Sequence, residues 1–146
     1  MTTVYFMKNT ANNMGLWKQF FEGKEIDVLF SAPEGEVVRS IRPFAMEQKV
    51  PAYVLDELQE AALTENETLH DVQERMIDAL QMMVNDYQDK VILVCTHPVP
   101  IGSVVEYFDS TFGYEDYQQA IKKQTYVMKM EFEGESCLGI EEILCV

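Results

Sequence analysis

The sequence has few basic residues: 11 Lys and Arg stand against 25 Asp and Glu, for a formal net charge of −14 over 146 residues. Affinity for nucleic acids rests largely on cations that displace counterions from phosphates. Adsorption to anionic lipid likewise requires clusters of basic side chains. The charge balance therefore disfavours both nucleic acid and membrane surfaces as partners, and it raises the question of whether small anionic substrates are disfavoured too.

Cysteine is also scarce, and the three cysteines lack a metal-binding spacing. Cys95 lies within an apolar run, whereas Cys137 and Cys145 lie near the end of the chain. An odd number of cysteines without a CxxC pair favours buried free thiols in a reducing compartment. We accordingly predict no metal site and no cofactor.

Long apolar segments are missing as well. No window of 18 apolar residues occurs, and the first residues show no basic segment followed by an apolar one. Neither a membrane-spanning helix nor a signal peptide is predicted, so a cytoplasmic location is the expectation. A chain of 146 residues is typical of one domain, and we predict a single domain over residues 1–146.

Short β-branched and aromatic runs alternate with segments of helical periodicity along the chain. The apolar run at 90–95 is typical of a central parallel strand that is buried on both faces. Pro33 suits the first turn of a helix, and Pro43 should kink or shorten that helix. The alternation predicts an α/β fold, a three-layer αβα sandwich with a mostly parallel sheet of five or six strands. The predicted strands are 3–7, 27–31, 51–55 and 90–95 with a closing hairpin at 125–132 and 136–144, and the predicted helices are 14–21, 33–46, 68–87, 101–109 and 114–122.

Ligands of open α/β sheets bind at the carboxyl ends of the strands, so the residues that follow each strand are the candidates for a site. These positions hold a lysine, an asparagine, acidic residues and a single histidine, His97. A lone histidine at a strand end is either a structural hydrogen-bonding residue or part of a ligand site. The residue pattern alone leaves both interpretations open.

Five of these elements, taken in order, resemble the motifs of one family. Lys8-Asn9 follows the first strand, Ser31-Ala32-Pro33 follows the second, and Glu57 ends a short acidic segment. A long helix with Arg75 and the strand that ends in Thr96-His97 complete the series. The series resembles the histidine phosphatase (phosphoglycerate mutase-like) superfamily, whose motifs read RHG, SSPLxR, LxE, a helix with RV, and LVVSHGG. The family's segment between its first two motifs has no counterpart here, so the resemblance is to a truncated member.

The resemblance implies a known division of roles. The histidine of RHG attacks phosphorus, two arginines and a second histidine hold the phosphate oxygens, and a carboxylic acid protonates the leaving oxygen. Residue by residue, the pocket positions fall on Lys8, Asn9, Glu36, Glu57 and His97. The fold that the resemblance implies agrees with the fold that the periodicity predicts.

Several of these positions depart from the family pattern. The amide nitrogen of Asn9 has a delocalised lone pair and cannot form a phosphoryl intermediate. Lys8 keeps a charge but loses the bidentate fork of arginine. Glu36 replaces the second arginine, and a carboxylate about 4 Å from a phosphate charge costs on the order of 4 kcal/mol at an effective dielectric constant near 20. Pro98, after the second histidine, removes a backbone N–H donor. Arg39, three residues after Glu36, could restore a cation to the pocket.

These departures predict a catalytically inactive member, a pseudophosphatase with a binding or regulatory role. Its partner would be a small molecule or a protein of unknown identity, and a homo-oligomer is left open. The alternative is an active phosphatase or related phosphoester hydrolase with a rearranged site around His97. A purely structural partner subunit is a third hypothesis.

Overall fold

The computed structural model describes residues 1–9, 21 and 23–146. The predicted helix at 14–21 lies outside the described residues, except for Phe21. A short 3-10 helix at Asp56–Leu58 follows the third strand. The described strands are β1 (Thr2–Lys8), β2 (Val28–Ser31), β3 (Ala52–Val54), β4 (Val91–Thr96), β5 (Tyr126–Glu133) and β6 (Ser136–Cys145), and the described helices are α1 (Gly35–Gln48), α2 (Leu69–Asp86), α3 (Pro98–Phe108) and α4 (Tyr114–Lys122).

The strands form one six-stranded sheet in the order β3-β2-β4-β1-β5-β6. β4 pairs in parallel with β1 on one side and with β2 on the other, and β2 also pairs in parallel with β3. The closing hairpin adds β5 and β6 as antiparallel strands. The prediction of a mostly parallel sheet of five or six strands is confirmed.

The central position of β4 follows from its apolar sequence. Residues 92–95 are each at most 1% exposed, although successive side chains of a strand point to opposite faces of the sheet. Both faces of β4 are therefore covered, which is the three-layer arrangement that the sequence predicts. No helix in the described residues is long and apolar enough to cross a membrane.

Helix α2 shows how the local sequence determines an element. The Thr68 hydroxyl accepts from the Asp71 N–H while the Asp71 carboxylate accepts from the Thr68 N–H, so a capping box starts the helix. The apolar stripe of α2 then packs into the core. Its buried residues are Val72, Met76, Ile77, Ala79, Leu80, Met83 and Val84.

Three local predictions need correction. Helix α1 begins at Gly35, after Pro33, and it continues past Pro43 to Gln48. Pro43 lies on the exposed face of α1, where water can bond to the carbonyl that loses its N–H donor. Helix α3 begins at Pro98, three residues before the predicted start, because proline suits the first helical position.

The third correction concerns the thiols. All three cysteines are free, but only Cys95 is buried, whereas Cys137 and Cys145 are half-buried. Both half-buried cysteines belong to β6, which is the outermost of the described strands and pairs with β5 alone among them.

Candidate functional site

Three parallel strands end at the same edge of the sheet and bring the candidate residues together. Lys8, the last residue of β1, is level with Thr96, the last residue of β4. The pairing continues one step further, because the Asn9 N–H donates to the Thr96 carbonyl at 2.8 Å and the Ala32 N–H donates to the Cys95 carbonyl at 3.0 Å. Lys8, Asn9 and His97 therefore lie at the edge of the sheet where a ligand crevice is expected in a parallel α/β fold.

Both ring nitrogens of His97 face carboxylates of the same chain. Nε2 lies 3.0 Å from Glu34 Oε1, and Nδ1 lies 3.2 Å from Glu60 Oε2. A neutral imidazole has one N–H and can donate to only one of these carboxylates, whereas an imidazolium can donate to both. The ring is also buried, at 8% exposure for the residue. Neither ring nitrogen is free to meet an incoming ligand unless a glutamate moves away.

Glu34 is the acidic residue that contacts the histidine. Its second oxygen, Oε2, accepts from the Glu60 N–H at 3.0 Å. Burial raises the pKa of Glu34, but hydrogen bonds from the Glu60 N–H and from His97 outweigh burial and lower the pKa below its ordinary value. The carboxylate is thus held in its charged form beside His97.

Sequence reasoning put Glu36 at the second-arginine position and Glu57 at the general-acid position, and it missed Glu34. Glu36 is exposed in the first turn of α1, and no hydrogen bond or ion pair joins it to another described residue. Glu34 is the N-cap residue of α1, one position beyond the Ser31-Ala32-Pro33 segment, and so directly behind the end of β2. A search that took in one more residue after the end of each strand would have found Glu34.

Lys8 donates all of its ammonium protons to backbone carbonyls. Its Nζ lies 3.1 Å from the Ala120 carbonyl, 2.7 Å from that of Ile121 and 2.5 Å from that of Lys123. These carbonyls lie at the C-terminus of α4, where a cation also interacts favourably with the helix dipole. Burial lowers the pKa of Lys8, although three acceptors surround the ammonium. An ammonium has three donors, so the cation at this pocket position is used as a helix cap.

Asn9 forms a bridge within the protein. Its side-chain carbonyl accepts from the Ser40 hydroxyl at 2.8 Å, and its N–H donates to the Thr96 carbonyl. These two bonds connect the end of β1 to α1 and to β4. The asparagine therefore supports the crevice structurally, in the position where the resemblance implies a nucleophile.

The remaining candidates stand apart from His97. Glu57 lies in the 3-10 helix with an exposed side chain, and Arg39 is exposed on α1. The Arg39 guanidinium folds back over Gly35, where an added Cβ would lie 2.9 Å from Nη1. No hydrogen bond within the described residues joins Glu36, Arg39 or the Glu57 carboxylate to Lys8, Asn9 or His97.

Arg75 positions Glu60, a role that sequence reasoning did not assign. Its Nε lies 2.8 Å from Glu67 Oε2 and its Nη2 lies 3.0 Å from Glu67 Oε1, in a bidentate ion pair. The guanidinium also donates to the carbonyls of Glu57 and Glu60. The hydrogen bonds from Arg75 lower the pKa of the Glu67 carboxyl. Residues 57–67 are thereby fastened to α2, and Glu60 is held within reach of His97.

A shallow apolar hollow of about 320 Å³ opens beside Glu60. Glu60 is its one charged lining residue, and the rest of the described lining is uncharged. The other residues that line this hollow are Ala61, Leu63, Thr64, Pro98, Val99 and Ile121.

Within residues 1–9, 21 and 23–146, no group of three or more His, Cys, Asp or Glu side chains could hold a metal ion.

The comparison with models of protein families identifies the family of this chain. The model of the histidine phosphatase superfamily (branch 1) matches residues 59–139, which include His97 and more than half of the chain. The chain belongs to the histidine phosphatase superfamily. The resemblance read from the sequence motifs is therefore confirmed at the level of the family.

Solved structures of histidine phosphatase-like proteins share the fold. YhfR from Bacillus stearothermophilus is 14% identical, with 94% of each chain covered and a TM-score of 0.75. A mycobacterial glucosyl-3-phosphoglycerate phosphatase is 7% identical over 96% of each chain, with a TM-score of 0.73. A phosphoserine phosphatase variant from Entamoeba histolytica, solved with phosphoserine, is 10% identical over 96% of each chain, with a TM-score of 0.72. At these identities the likeness establishes the fold alone. The comparison with curated proteins gave no match.

Proposed function

We propose that this protein is a non-catalytic member of the histidine phosphatase superfamily, a pseudophosphatase that acts as a binding or regulatory module. The observation that carries the proposal is the placement of His97 between two carboxylates, Glu34 at 3.0 Å and Glu60 at 3.2 Å. In the family reaction a histidine at this position holds phosphate oxygens. Here the protein supplies both anions itself.

Electrostatics supports this proposal. A phosphate that reached His97 would approach two carboxylates, and each such approach to about 4 Å costs on the order of 4 kcal/mol at an effective dielectric constant near 20. The cation at position 8 does not offset this cost, because Lys8 donates to three backbone carbonyls. An anionic ligand is therefore disfavoured in this crevice.

The position of the nucleophile supports the same proposal. Asn9 occupies it, and its amide nitrogen carries no lone pair that could attack phosphorus. The alternative, a hydrolase that uses His97 as the nucleophile, needs a ring nitrogen with an accessible lone pair. Each ring nitrogen is within hydrogen-bond distance of a carboxylate, so the contacts do not favour the alternative.

The first test is an assay with a chromogenic phosphomonoester from pH 4 to pH 8. We expect no turnover above background by the native protein, by His97→Ala or by His70→Ala. The chain has two histidines, and His70 is exposed on α2, so it is the matched control for His97. Turnover by the native protein that disappears in His97→Ala and persists in His70→Ala would refute the proposal.

The second test asks whether the carboxylates are what excludes phosphate. A Glu34→Leu, Glu36→Arg, Glu60→Gln variant replaces the two carboxylates at His97 and restores the family's leucine and arginine. We expect inorganic phosphate to raise the melting temperature of this variant and to leave that of the native protein unchanged. Equal stabilisation of both proteins by phosphate would show that the native crevice accepts anions.

A further inference from the structure

At the outer edge of β3, backbone groups have no strand partner among the described residues. β3 pairs only with β2 in the part of the chain that the structure describes. The Pro51 carbonyl accepts from the Leu29 N–H, and the Leu55 N–H donates to the Ser31 carbonyl. Backbone groups of successive residues in a strand point to alternate sides, so Ala52 and Val54 direct their N–H and C=O groups away from β2. This edge is able to accept another strand.

An apolar groove of about 290 Å³ runs beside this edge, between α1 and β3. Two of its side chains are large, apolar and exposed: Met46 at 73% and Val54 at 52%. Single exposed apolar residues are ordinary, but exposed apolar residues that share a groove mark an interaction surface. The groove is lined by Ser31, Val38, Ile41, Arg42, Ala45, Met46, Val50, Ala52, Tyr53 and Val54.

The charge of this groove differs from that of the chain as a whole. Arg42 is its one charged lining residue, and no ion pair with another described residue involves Arg42. Residues 35–49 carry three cations, the last of them Lys49, against two carboxylates, in a chain with a net charge of −14. A segment that places a carboxylate opposite Arg42 is complementary to this groove.

We propose that the β3 edge and this groove bind an extended, carboxylate-bearing segment of a partner protein. The segment adds to the sheet as a strand outside β3, with hydrogen bonds to the backbone of Ala52 and Val54. Its apolar side chains enter the groove, and a carboxylate on the same face pairs with Arg42. This surface shares no residue with the crevice around His97, so the proposal stands or falls independently of the proposed function.

The test uses a defined peptide and the native protein. The peptide is Thr-Val-Thr-Val-Thr-Glu-Thr-Glu, acetylated and amidated, in which valine and glutamate share one face. The comparison peptide has lysine in place of both glutamates. In an NMR titration we expect the acidic peptide to shift the amide resonances of Ala52 and Val54 and to bind about fivefold more tightly than the lysine peptide.

Two variants distinguish a specific contact from a general charge effect. Arg42→Glu should reverse the preference between the two peptides. Arg39→Glu makes the same charge change on the same helix, but Arg39 does not line the groove, so the preference should persist. Equal effects of the two variants, or no amide shifts up to millimolar peptide, would overturn the proposal.

Backbone pairing and self-association are tested separately. An acidic peptide with N-methyl groups on alternate amides should lose binding, and unchanged binding would overturn strand addition. Analytical ultracentrifugation of the native protein and of Val54→Asp examines the second copy as occupant. We expect both proteins to be monomers. A native dimer that dissociates in Val54→Asp would instead assign the edge to self-association and overturn the proposal of a partner segment.

Discussion

Two side-chain clusters fasten the segment between β3 and α2 to the rest of the molecule, and they differ in charge balance. In the first, Arg75 pairs with both oxygens of Glu67 and donates to two backbone carbonyls. In the second, His97 contacts the carboxylates of Glu34 and Glu60. Arg75 carries a permanent charge that matches one carboxylate. His97 meets two carboxylates with at most one positive charge.

The two clusters therefore have different expected roles. Arg75 and Glu67 support the fold, whereas Glu34 and Glu60 occupy the ring nitrogens of His97 that a ligand would need. The Arg75 cluster is balanced in charge and half-buried, with side-chain exposures of 15% for Arg75 and 17% for Glu67, as suits a permanent anchor. The His97 cluster leaves an excess negative charge at the end of the sheet. Replacing one cluster should therefore affect stability, and replacing the other should mainly affect what the crevice binds.

The largest effect is expected for Arg75→Met. This change removes four hydrogen bonds and leaves the Glu67 carboxylate without its cation, so we expect the free energy of unfolding to fall by about 2–4 kcal/mol in urea titrations. Arg39→Met is the matched control, because Arg39 is exposed and has no ion pair with another described residue, and it should change stability by less than about 0.5 kcal/mol. Similar losses in both variants would contradict the assignment of Arg75 as the anchor.

A smaller effect is expected for His97→Gln. The glutamine amide can still donate to one of the two glutamates, so we expect a loss of about 1 kcal/mol in the free energy of unfolding. His70→Gln should have no measurable effect in the same urea titration, since His70 is exposed on α2. If His97→Gln destabilised the protein as much as Arg75→Met, the two clusters would contribute equally to stability, and the comparison would be contradicted.

The smallest effect is the contribution of single carboxyl groups to acid sensitivity. The pKa of Glu67 is lowered by the hydrogen bonds from Arg75, and the pKa of Glu34 is lowered because hydrogen bonds from the Glu60 N–H and His97 outweigh burial. A carboxyl with a lowered folded-state pKa stabilises the fold above its unfolded pKa, which is about 4.3 for glutamate. That contribution is lost as the pH falls through the folded-state pKa.

Urea midpoints between pH 6 and pH 3 measure this loss. Glu67→Gln and Glu34→Gln should each reduce the steepness of the acid decline, by less than one proton per variant. Glu65→Gln is a control, because Glu65 is exposed and forms no ion pair with another described residue. An acid decline as steep in Glu67→Gln as in the native protein would show that the Arg75 pair contributes nothing to it.

The sequence predicts most of the fold, because the signals are local. The apolar run before Thr96 places β4 at the centre of the sheet, and the capping box at Thr68 marks the first turn of α2. The expectation that Pro43 could shorten α1 was wrong, because Pro43 lies on the exposed face and the helix ends at Gln48, two residues beyond the predicted end.

The site is predicted less completely, because its contacts join distant parts of the chain. His97 and Lys8 are found from their positions at strand ends, but their partners are not. Glu34 lies 63 residues from His97 in sequence, and the carbonyls that receive the Lys8 protons lie 112 or more residues away. Which acceptor a cation meets is determined by how helices and loops pack over the sheet edge.

The position of Lys8 bears on how the chain could change over time. An arginine or lysine that binds phosphate must present its protons to the crevice, whereas Lys8 gives them to the end of α4. A substitution that redirected this cation toward a substrate would uncap the helix at the same moment. If the protein is the pseudophosphatase proposed above, phosphate binding through position 8 would require a new cap for α4 as well, so a single substitution there would not restore it.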